Sequence, residues 1–250
     1  MRTALLALAA AIAALGCDRE ALGPEAPVAV ALEFLPFPAV VVGDSLRDTT
    51  GTAVPVQGQV FNYLGEELPD VPLSYLILDR GATIDPATGF VSGDSIRDTP
   101  VRVVAFLNGL QTQSQPLFIV PAPDSLMTTA GEDTLEYSLV DTTANVSAPL
   151  SVQLLSAGDT PVPVRGWIVS FAITYAASPE LAEIIGDANR ASSMDTTSAD
   201  GSASRRIRVH PDELTATADS VVLTATARYR GAHVRGSPAR LVVHLRPRAP

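Results

Sequence analysis

Short β-type runs, separated by turn residues, fill the chain from Val28 onward. Runs of apolar and β-branched residues bounded by Gly, Pro, Asn and Asp are typical of strands. Up to residue 120 these runs are Val28–Phe34, Val54–Asn62, Val71–Leu78, Val101–Leu107 and Gln111–Val120. Asn108-Gly109, between the last two runs, predicts a β-hairpin, because both residues readily adopt positive φ.

Three later segments alternate apolar and polar residues more regularly. A period of two with one apolar face predicts half-buried antiparallel strands. The apolar positions are Trp167, Val169, Phe171, Ile173 and Tyr175, then Val221, Leu223, Ala225, Ala227 and Tyr229, then Leu241, Val243 and Leu245. Pro179 to Ile185, which Ser178 could cap, is too short for a regular helix and is interpreted as a turn or a helical insert in a loop.

Pro121-Ala122-Pro123 interrupts the series of strands and predicts a domain junction. Each side carries about seven short strands over roughly 100 residues, which is typical of an antiparallel β-sandwich. We therefore expect an all-β protein with two tandem β-sandwiches, at residues 27–121 and 122–250, the second better formed. A single large β-domain is the alternative.

The N-terminus has the pattern of an export signal. Arg2 precedes an apolar run that ends at the only cysteine, Cys17. The run is too short to span a bilayer. Ala14-Leu15-Gly16-Cys17 resembles a lipobox, which implies cleavage of residues 1–16, lipidation of Cys17 and a tether over 17–26. An ordinary signal with a chance cysteine is the alternative.

Composition narrows the class of partner. The formal net charge is −10, and every one of the 17 basic residues is arginine. An acidic chain repels phosphate backbones, so nucleic acid is not expected as a partner. The 46% hydrophobic content is enough for packed cores.

Three blocks of the second half resemble the invasin/intimin-type bacterial immunoglobulin-like family. They are Val164-Arg-Gly-Trp-Ile-Val-Ser-Phe, Thr196-Thr-Ser-Ala-Asp-Gly-Ser-Ala and Ala218-Asp-Ser-Val-Val-Leu-Thr-Ala-Thr-Ala. The first half resembles the related bacterial Ig-like group through Gly43-Asp-Ser-Leu, Pro69-Asp-Val-Pro-Leu-Ser-Tyr and Ile84-Asp-Pro-Ala-Thr-Gly-Phe-Val. The resemblance implies that the two tandem β-sandwiches are immunoglobulin-like. It further implies stalk, adhesion or contact modules and transfers no catalytic residues.

Gly43-Asp44-Ser45-Leu46 by itself resembles the nucleophile block of GDSL esterases. A serine nucleophile needs a base, and that family supplies it from an Asp-x-x-His block. The residues three before His210, His233 and His244 are Ile207, Arg230 and Leu241, so the block is missing. The string also recurs around Ser95, as Gly93-Asp94-Ser95-Ile96, which favours a turn over a catalytic block.

Other candidate ligand positions have plainer interpretations. Six aspartates form pairs that could supply oxygen ligands to calcium, although solvated turn carboxylates are the simpler interpretation: Asp44, Asp48, Asp94, Asp98, Asp195 and Asp200. Trp167 could stack on a sugar but is expected in the core. Seven arginines could bind an anionic polymer or form solvated outer faces: Arg205, Arg206, Arg208, Arg228, Arg230, Arg235 and Arg240. No cofactor and no zinc site are expected.

These observations together predict a non-catalytic envelope protein. Cys17 would anchor it by lipid to the cell membrane or outer membrane, facing the periplasm or the exterior. It would act as an adhesion, spacer or protein-contact module. The alternative is a lipoprotein that binds a cell-wall glycan or a protein through loops at one sandwich end, and a GDSL-type esterase is the remote alternative.

Overall fold

The computed structural model describes residues 28–210, 212 and 219–248. The predicted signal peptide, Cys17 and the tether lie outside these residues. The described chain is almost entirely β-structure, as the sequence indicated, with a short 3₁₀ turn at Thr142–Ala144. Within it, no helix has the length and apolar character needed to cross a membrane.

Ten strands precede Pro121, and we call the described residues up to 121 the first half. They are β1 Ala29–Phe34, β2 Val40–Val41, β3 Gly58–Asn62, β4 Ser74–Ile77, β5 Ala82–Ile84, β6 Val91–Gly93, β7 Val101–Leu107, β8 Leu110–Gln111, β9 Gln115–Leu117 and β10 Ile119–Val120. They form short sheets: β1 with β3, β2 with β10, β5 with β6, and β4, β8 and β9 around β7.

Eleven strands follow, and we call the described residues from 122 onward the second half. They are β11 Pro123–Ala130, β12 Glu132–Tyr137, β13 Leu150–Ser156, β14 Ile168–Tyr175, β15 Ala182–Ile185, β16 Met194–Thr196, β17 Ser202–Val209, β18 Ser220–Thr226, β19 Arg228–Tyr229, β20 Ala232–His233 and β21 Ala239–Pro247.

The second half is a two-layer sandwich. One sheet has the order β11-β13-β17-β15, and the other has the order β12-β21-β18-β14-β16. In β13, β17 and β18 every second residue is buried, so the period of two in the sequence places one face of each strand in the core. The larger, continuous sheets agree with the expectation that this half is better formed.

Strand pairing does not cross Pro121 anywhere in the described part of the chain. The core, however, does cross it. In the parallel ribbon of β2 and β10, Val40 and Ile119 pack into the first-half core, whereas Ala39, Val41 and Val120 pack into the second-half core. Alternate residues of this ribbon thus pack into two different cores. The division of the chain into two domains stays a prediction.

Several local predictions differ from the structure. Pro179 to Ile185, predicted as a turn or a helical insert, forms a turn only at Pro179 and Glu180. Its remainder includes strand β15, which pairs with β17 and buries Ile185. Tyr175 is 52% exposed, because the β14–β18 register shifts between Ile173 and Tyr175. The run Gln111–Val120 divides into β8, β9 and β10 as the chain changes pairing partner from β7 to β2.

The predicted Asn108-Gly109 turn is confirmed. Asn108 has φ +46° and Gly109 has φ +90°, and the two residues join β7 to β8. Positive φ at both central positions gives a turn whose twist matches that of the flanking strands.

Candidate functional site at the junction of the two halves

The carboxylate of Asp44 joins the two halves. Its side chain is only 6% exposed. Arg47 of the same half donates from Nε to Oδ2 at 3.0 Å and from Nη2 to Oδ1 at 2.8 Å. From the second half, Arg230 Nε donates to Oδ2 at 2.8 Å and Tyr229 Oη donates to Oδ2 at 3.0 Å. The Ser45 N–H completes the set at 2.8 Å from Oδ1.

These donors keep Asp44 ionised. Burial raises the pKa of the Asp44 carboxyl, but hydrogen bonds from Arg47, Arg230, the Ser45 N–H and Tyr229 outweigh it and hold the pKa well below the usual aspartate range. Burial and the same carboxylate raise the pKa of Tyr229. A charged acceptor with charged donors makes stronger hydrogen bonds than a neutral pair, so the contact is both directional and strong.

Further contacts surround this ion cluster. The Ala39 N–H donates to the Gly166 carbonyl at 2.7 Å. The guanidinium of Arg165 lies 4.5 Å from the centroid of the Phe118 ring, and its Nη2 donates to the Arg97 carbonyl at 3.1 Å. Apolar, cation–π and main-chain contacts therefore join the halves in addition to the ion cluster at Asp44.

Two glycines let the backbones of the halves approach closely. Gly51 has φ +91°, and a Cβ at this position would lie 1.9 Å from the Gly231 nitrogen. Gly231 also has positive φ, at +80°. A side chain at Gly51 does not fit such an approach, so glycine is required there by the junction as well as by its own turn.

Trp167 lies beside this junction and is 7% exposed, as expected for a core residue. Its ring meets Tyr229 edge-on at 6.0 Å, and its Nε1 donates to the Arg228 carbonyl at 3.2 Å. An open cleft of about 330 Å³ runs past it. The cleft is lined by both halves: Pro38, Arg47, Asp48, Thr49, Thr50, Trp167, Ile168, Ser170, Thr226 and Arg228.

The two Gly-Asp-Ser strings lie side by side but are not equivalent. Gly43 N–H donates to the Gly93 carbonyl at 2.8 Å, and Gly93 N–H donates to the Asp44 carbonyl at 3.1 Å. Gly43 turns the chain with φ +75°, whereas Gly93 belongs to strand β6. Asp94 is exposed, in contrast to the buried Asp44. The repeat thus marks two contacting segments with different conformations.

An imidazole–hydroxyl pair occurs at His233 and Ser237, where Nδ1 lies 3.3 Å from Oγ. His233 is exposed, and the Ser237 hydroxyl already accepts a hydrogen bond from the Ala227 N–H at 3.0 Å. His233 ends strand β20 and Ser237 lies in the turn that follows, and both are outside the junction cleft. The other two described histidines, His210 and His244, are also exposed.

The six candidate aspartates make different contacts and do not form one site. Asp48 and Asp200 accept hydrogen bonds within their own turns. Asp195 pairs with Arg205 at 3.0 Å. Two others are exposed: Asp94 and Asp98. Within the described residues no three His, Cys, Asp or Glu side chains are grouped to hold one ion, and calcium binding at these positions stays a prediction.

The seven candidate arginines do not share one face. Arg205 is buried, lies 5.9 Å from the Phe171 ring centroid and donates to the Ser192 carbonyl. Three others form ion pairs: Arg208 with Glu183, Arg230 with Asp44, and Arg235 with Asp124. Arg206 is half-buried. Arg228 and Arg240 are exposed. A single basic surface is therefore not formed.

Comparison with known proteins gives structural neighbours only. No family model and no curated sequence matches the chain. The Yersinia pseudotuberculosis adhesin InvE superposes with TM-score 0.34 at 14% identity, over 89% of this chain and 61% of that one. Domains 5–6 of the S-layer protein SbsC give 0.31 at 10%, over 90% and 100%. Invasin, a bacterial integrin-binding protein, gives 0.31 at 15%, over 87% and 39%.

These neighbours are Ig-like extracellular domains, the kind of protein that the sequence blocks resemble. At 10–15% identity and these TM-scores, the likeness concerns the β architecture alone. The chain spans well under two thirds of invasin and 61% of InvE.

Removing the charge of Asp44 is expected to loosen the junction. Asp44→Asn leaves two arginines without their carboxylate, which costs about 2–3 kcal/mol. Hydrogen exchange at Tyr229 and Arg230 should become faster, and small-angle scattering should show a broader distribution of lengths. Asp79→Asn is the matched control, because it breaks an exposed pair with Arg102 that lies within the first half and does not involve Asp44. Equal behaviour of the two variants would contradict the assigned role of Asp44.

The same contact sets a pH dependence. The pKa of Asp44 is lower in the folded protein than in a free chain. Its contribution to the stability of the junction is therefore complete above the ordinary aspartate pKa of about 3.9, and it is lost as the pH falls toward the pKa of the folded protein. The wild-type junction should therefore persist at pH 4, and scattering at pH 7, 4 and 2 tests this. Opening between pH 7 and 5 would contradict the ionised, hydrogen-bonded state.

A methyl group at Gly51 should separate the halves. Gly51→Ala meets the Gly231 backbone, whereas Gly65→Ala, at φ +77°, meets nothing within 4 Å. Both variants carry similar φ strain of about 1 kcal/mol. Only Gly51→Ala should in addition lose protection from hydrogen exchange at the junction. Thermal unfolding and hydrogen exchange measure the difference. A loss of stability that is the same in both variants would show that the close approach is unimportant.

Proposed function

We propose that this protein is a lipid-anchored, non-catalytic envelope protein that holds a contact surface at a distance from the membrane. The observation that carries the proposal is the Asp44 junction, in which both halves contribute donors to one buried carboxylate. A hinge between the halves would need few contacts across it. The contacts described above favour a fixed spacer.

The course of the chain suits a spacer. Strand β1 begins at Ala29 and leads toward Ala39, which contacts Gly166 at the junction. Strand β21 begins at Ala239, beside the junction, and ends at Pro247, paired with Tyr137 at the far end. The chain therefore enters at one end of the molecule and leaves at the other. Ten residues lie between Cys17 and Val28, so an extended chain from one to the other reaches at most about 40 Å.

The end farthest from the tether carries exposed apolar side chains. Leu139 is 69% exposed and Val140 is 96% exposed, in the loop that follows β12. Tyr175, at the distal end of β14, is 52% exposed. Exposed apolar residues in loops are typical of contact sites. Their position supports an adhesion or protein-contact role at the free end of an anchored spacer.

The cleft beside Trp167 favours a second candidate function, the capture of a ligand between the halves. Its lining combines an aromatic edge with the hydroxyls of Thr50, Ser170 and Thr226 and the exposed Arg228. Such a lining suits a polar ligand such as a glycan. A glycan screen in which binding is lost on Thr226→Val would favour this role over the spacer alone.

Anchoring is tested at Cys17. In a bacterial host that processes lipoproteins, the wild-type chain is expected in the membrane fraction, with a mature N-terminus at acylated Cys17. Cys17→Ser removes the thiol that would carry the diacylglycerol, so this variant should lose the lipid mass and leave the membrane fraction. Mass spectrometry and fractionation measure both outcomes. An unmodified Cys17 on a soluble wild-type protein would overturn the anchor.

The absence of catalysis is tested separately with generic esters. Because His233 is exposed and the Ser237 hydroxyl is already engaged, we expect no hydrolysis above background by the wild-type chain. Ser45→Ala and Ser237→Ala should not change the rate. Hydrolysis that either substitution abolishes would favour an esterase over the proposed function.

A further inference from the structure

Each half has a strand near its beginning that pairs in parallel with its last strand. In the first half β2 pairs with β10 through two residue pairs, Val40 with Ile119 and Val41 with Val120. In the second half β12 pairs with β21 through six consecutive pairs, from Glu132 with Val242 to Tyr137 with Pro247. The two halves thus share this parallel pairing and differ threefold in its number of residue pairs.

Parallel pairing decides how tension acts on these strands. If the chain is pulled at its two ends, the earlier strand of each pair is drawn toward the N-terminus and the later strand toward the C-terminus. In a parallel pair these pulls act at opposite ends and along the strands, so the hydrogen bonds between them are sheared together. An antiparallel first and last strand would instead be pulled from one end, and its bonds would open one after another.

The β12–β21 ladder is continued at both of its ends. The Val242 N–H donates to the Gly131 carbonyl at 2.7 Å, and the Arg248 N–H donates to the Tyr137 carbonyl at 2.8 Å. Buried side chains hold the same strands against the core, with Leu135 5% exposed and Leu245 6% exposed. Shear of this ladder therefore breaks a row of hydrogen bonds and removes apolar contacts at the same time.

We infer that the second half is a mechanical clamp, which resists unfolding when the protein is pulled between its anchor and its distal end. The first half unfolds first under the same force. The inference rests on the proposed anchored spacer, since only an attached protein is under tension. Forced unfolding depends on the unfolding rate, which the sheared ladder limits. The short β2–β10 ladder makes the first half the extensible part.

The register identifies the residues to change. Since Gly131 and Tyr137 bond to β21, the alternate residues between them also direct their main-chain groups toward β21. The N–H of Asp133 therefore faces β21, and that of Thr134 faces away. Proline removes the N–H at either position. Asp133→Pro should weaken the clamp, and Thr134→Pro is its matched control.

The experiment is single-molecule pulling of the full mature chain, with Cys17→Ser and handles at both ends. Two unfolding steps are expected: one of roughly 30 nm at lower force, for the first half, and one of roughly 40 nm at higher force, for the second. Asp133→Pro should lower the force of the longer step by at least a third, whereas Thr134→Pro should change it by less than a tenth. Asp133→Ala is a further control, because it removes the carboxylate that accepts a hydrogen bond from the Ala148 N–H but keeps the main-chain N–H of residue 133.

A second pulling geometry tests the clamp without altering its backbone. With Leu139→Cys as the only cysteine, a handle at position 139 and one at the C-terminus load the same ladder from one end. The force of the second-half step should then fall at least twofold. This comparison decides the question even if Asp133→Pro does not fold.

The inference is overturned if the longer step comes first at lower force, if the two proline variants behave alike, or if both pulling geometries give the same force. None of these results bears on acylation of Cys17. Conversely, a soluble, unmodified wild-type chain would remove the anchored function and leave the measured forces unchanged. The two failures are therefore distinguishable.

Discussion

A carboxylate that is almost fully removed from water stays ionised only where donors surround it, and the arrangement of the two halves depends on such a group. Asp44 receives hydrogen bonds from Arg47 within its own half and from Tyr229 and Arg230 of the other. Neither half by itself supplies the full set of donors. The relative position of the halves is thereby tied to the solvation of one charge.

Packing supports the same arrangement. The ribbon of β2 and β10 has two faces, and each face lies in a different core. An interface of this kind resembles the interior of a single domain more than the polar contact usual between neighbouring modules. The Gly51–Gly231 approach then fixes the remaining distance. The ion cluster, the apolar burial and the backbone contact thus all restrict how one half can move relative to the other.

Much of the fold was predictable from local pattern. The run Val101–Leu107 is a strand with the predicted bounds, and the faces of β18 and β21 follow from alternation. The Asn108-Gly109 turn followed from the φ values that these two residues accept. Predictions were wrong where pairing overrides pattern: β15 is short and weakly periodic but adds to β17, and Tyr175 leaves the core at a register shift.

The candidate site was only partly accessible to sequence reasoning. Asp44 was recognisable as a polar residue in a turn, but its partners at Tyr229 and Arg230 lie 185 and 186 positions away. By itself, the sequence determined the all-β character, the strand faces and the turns, because these depend on neighbouring residues. Only the tertiary structure decided which carboxylate is buried, which arginines are paired and which strands pair in parallel, because each depends on contacts between residues remote in the chain.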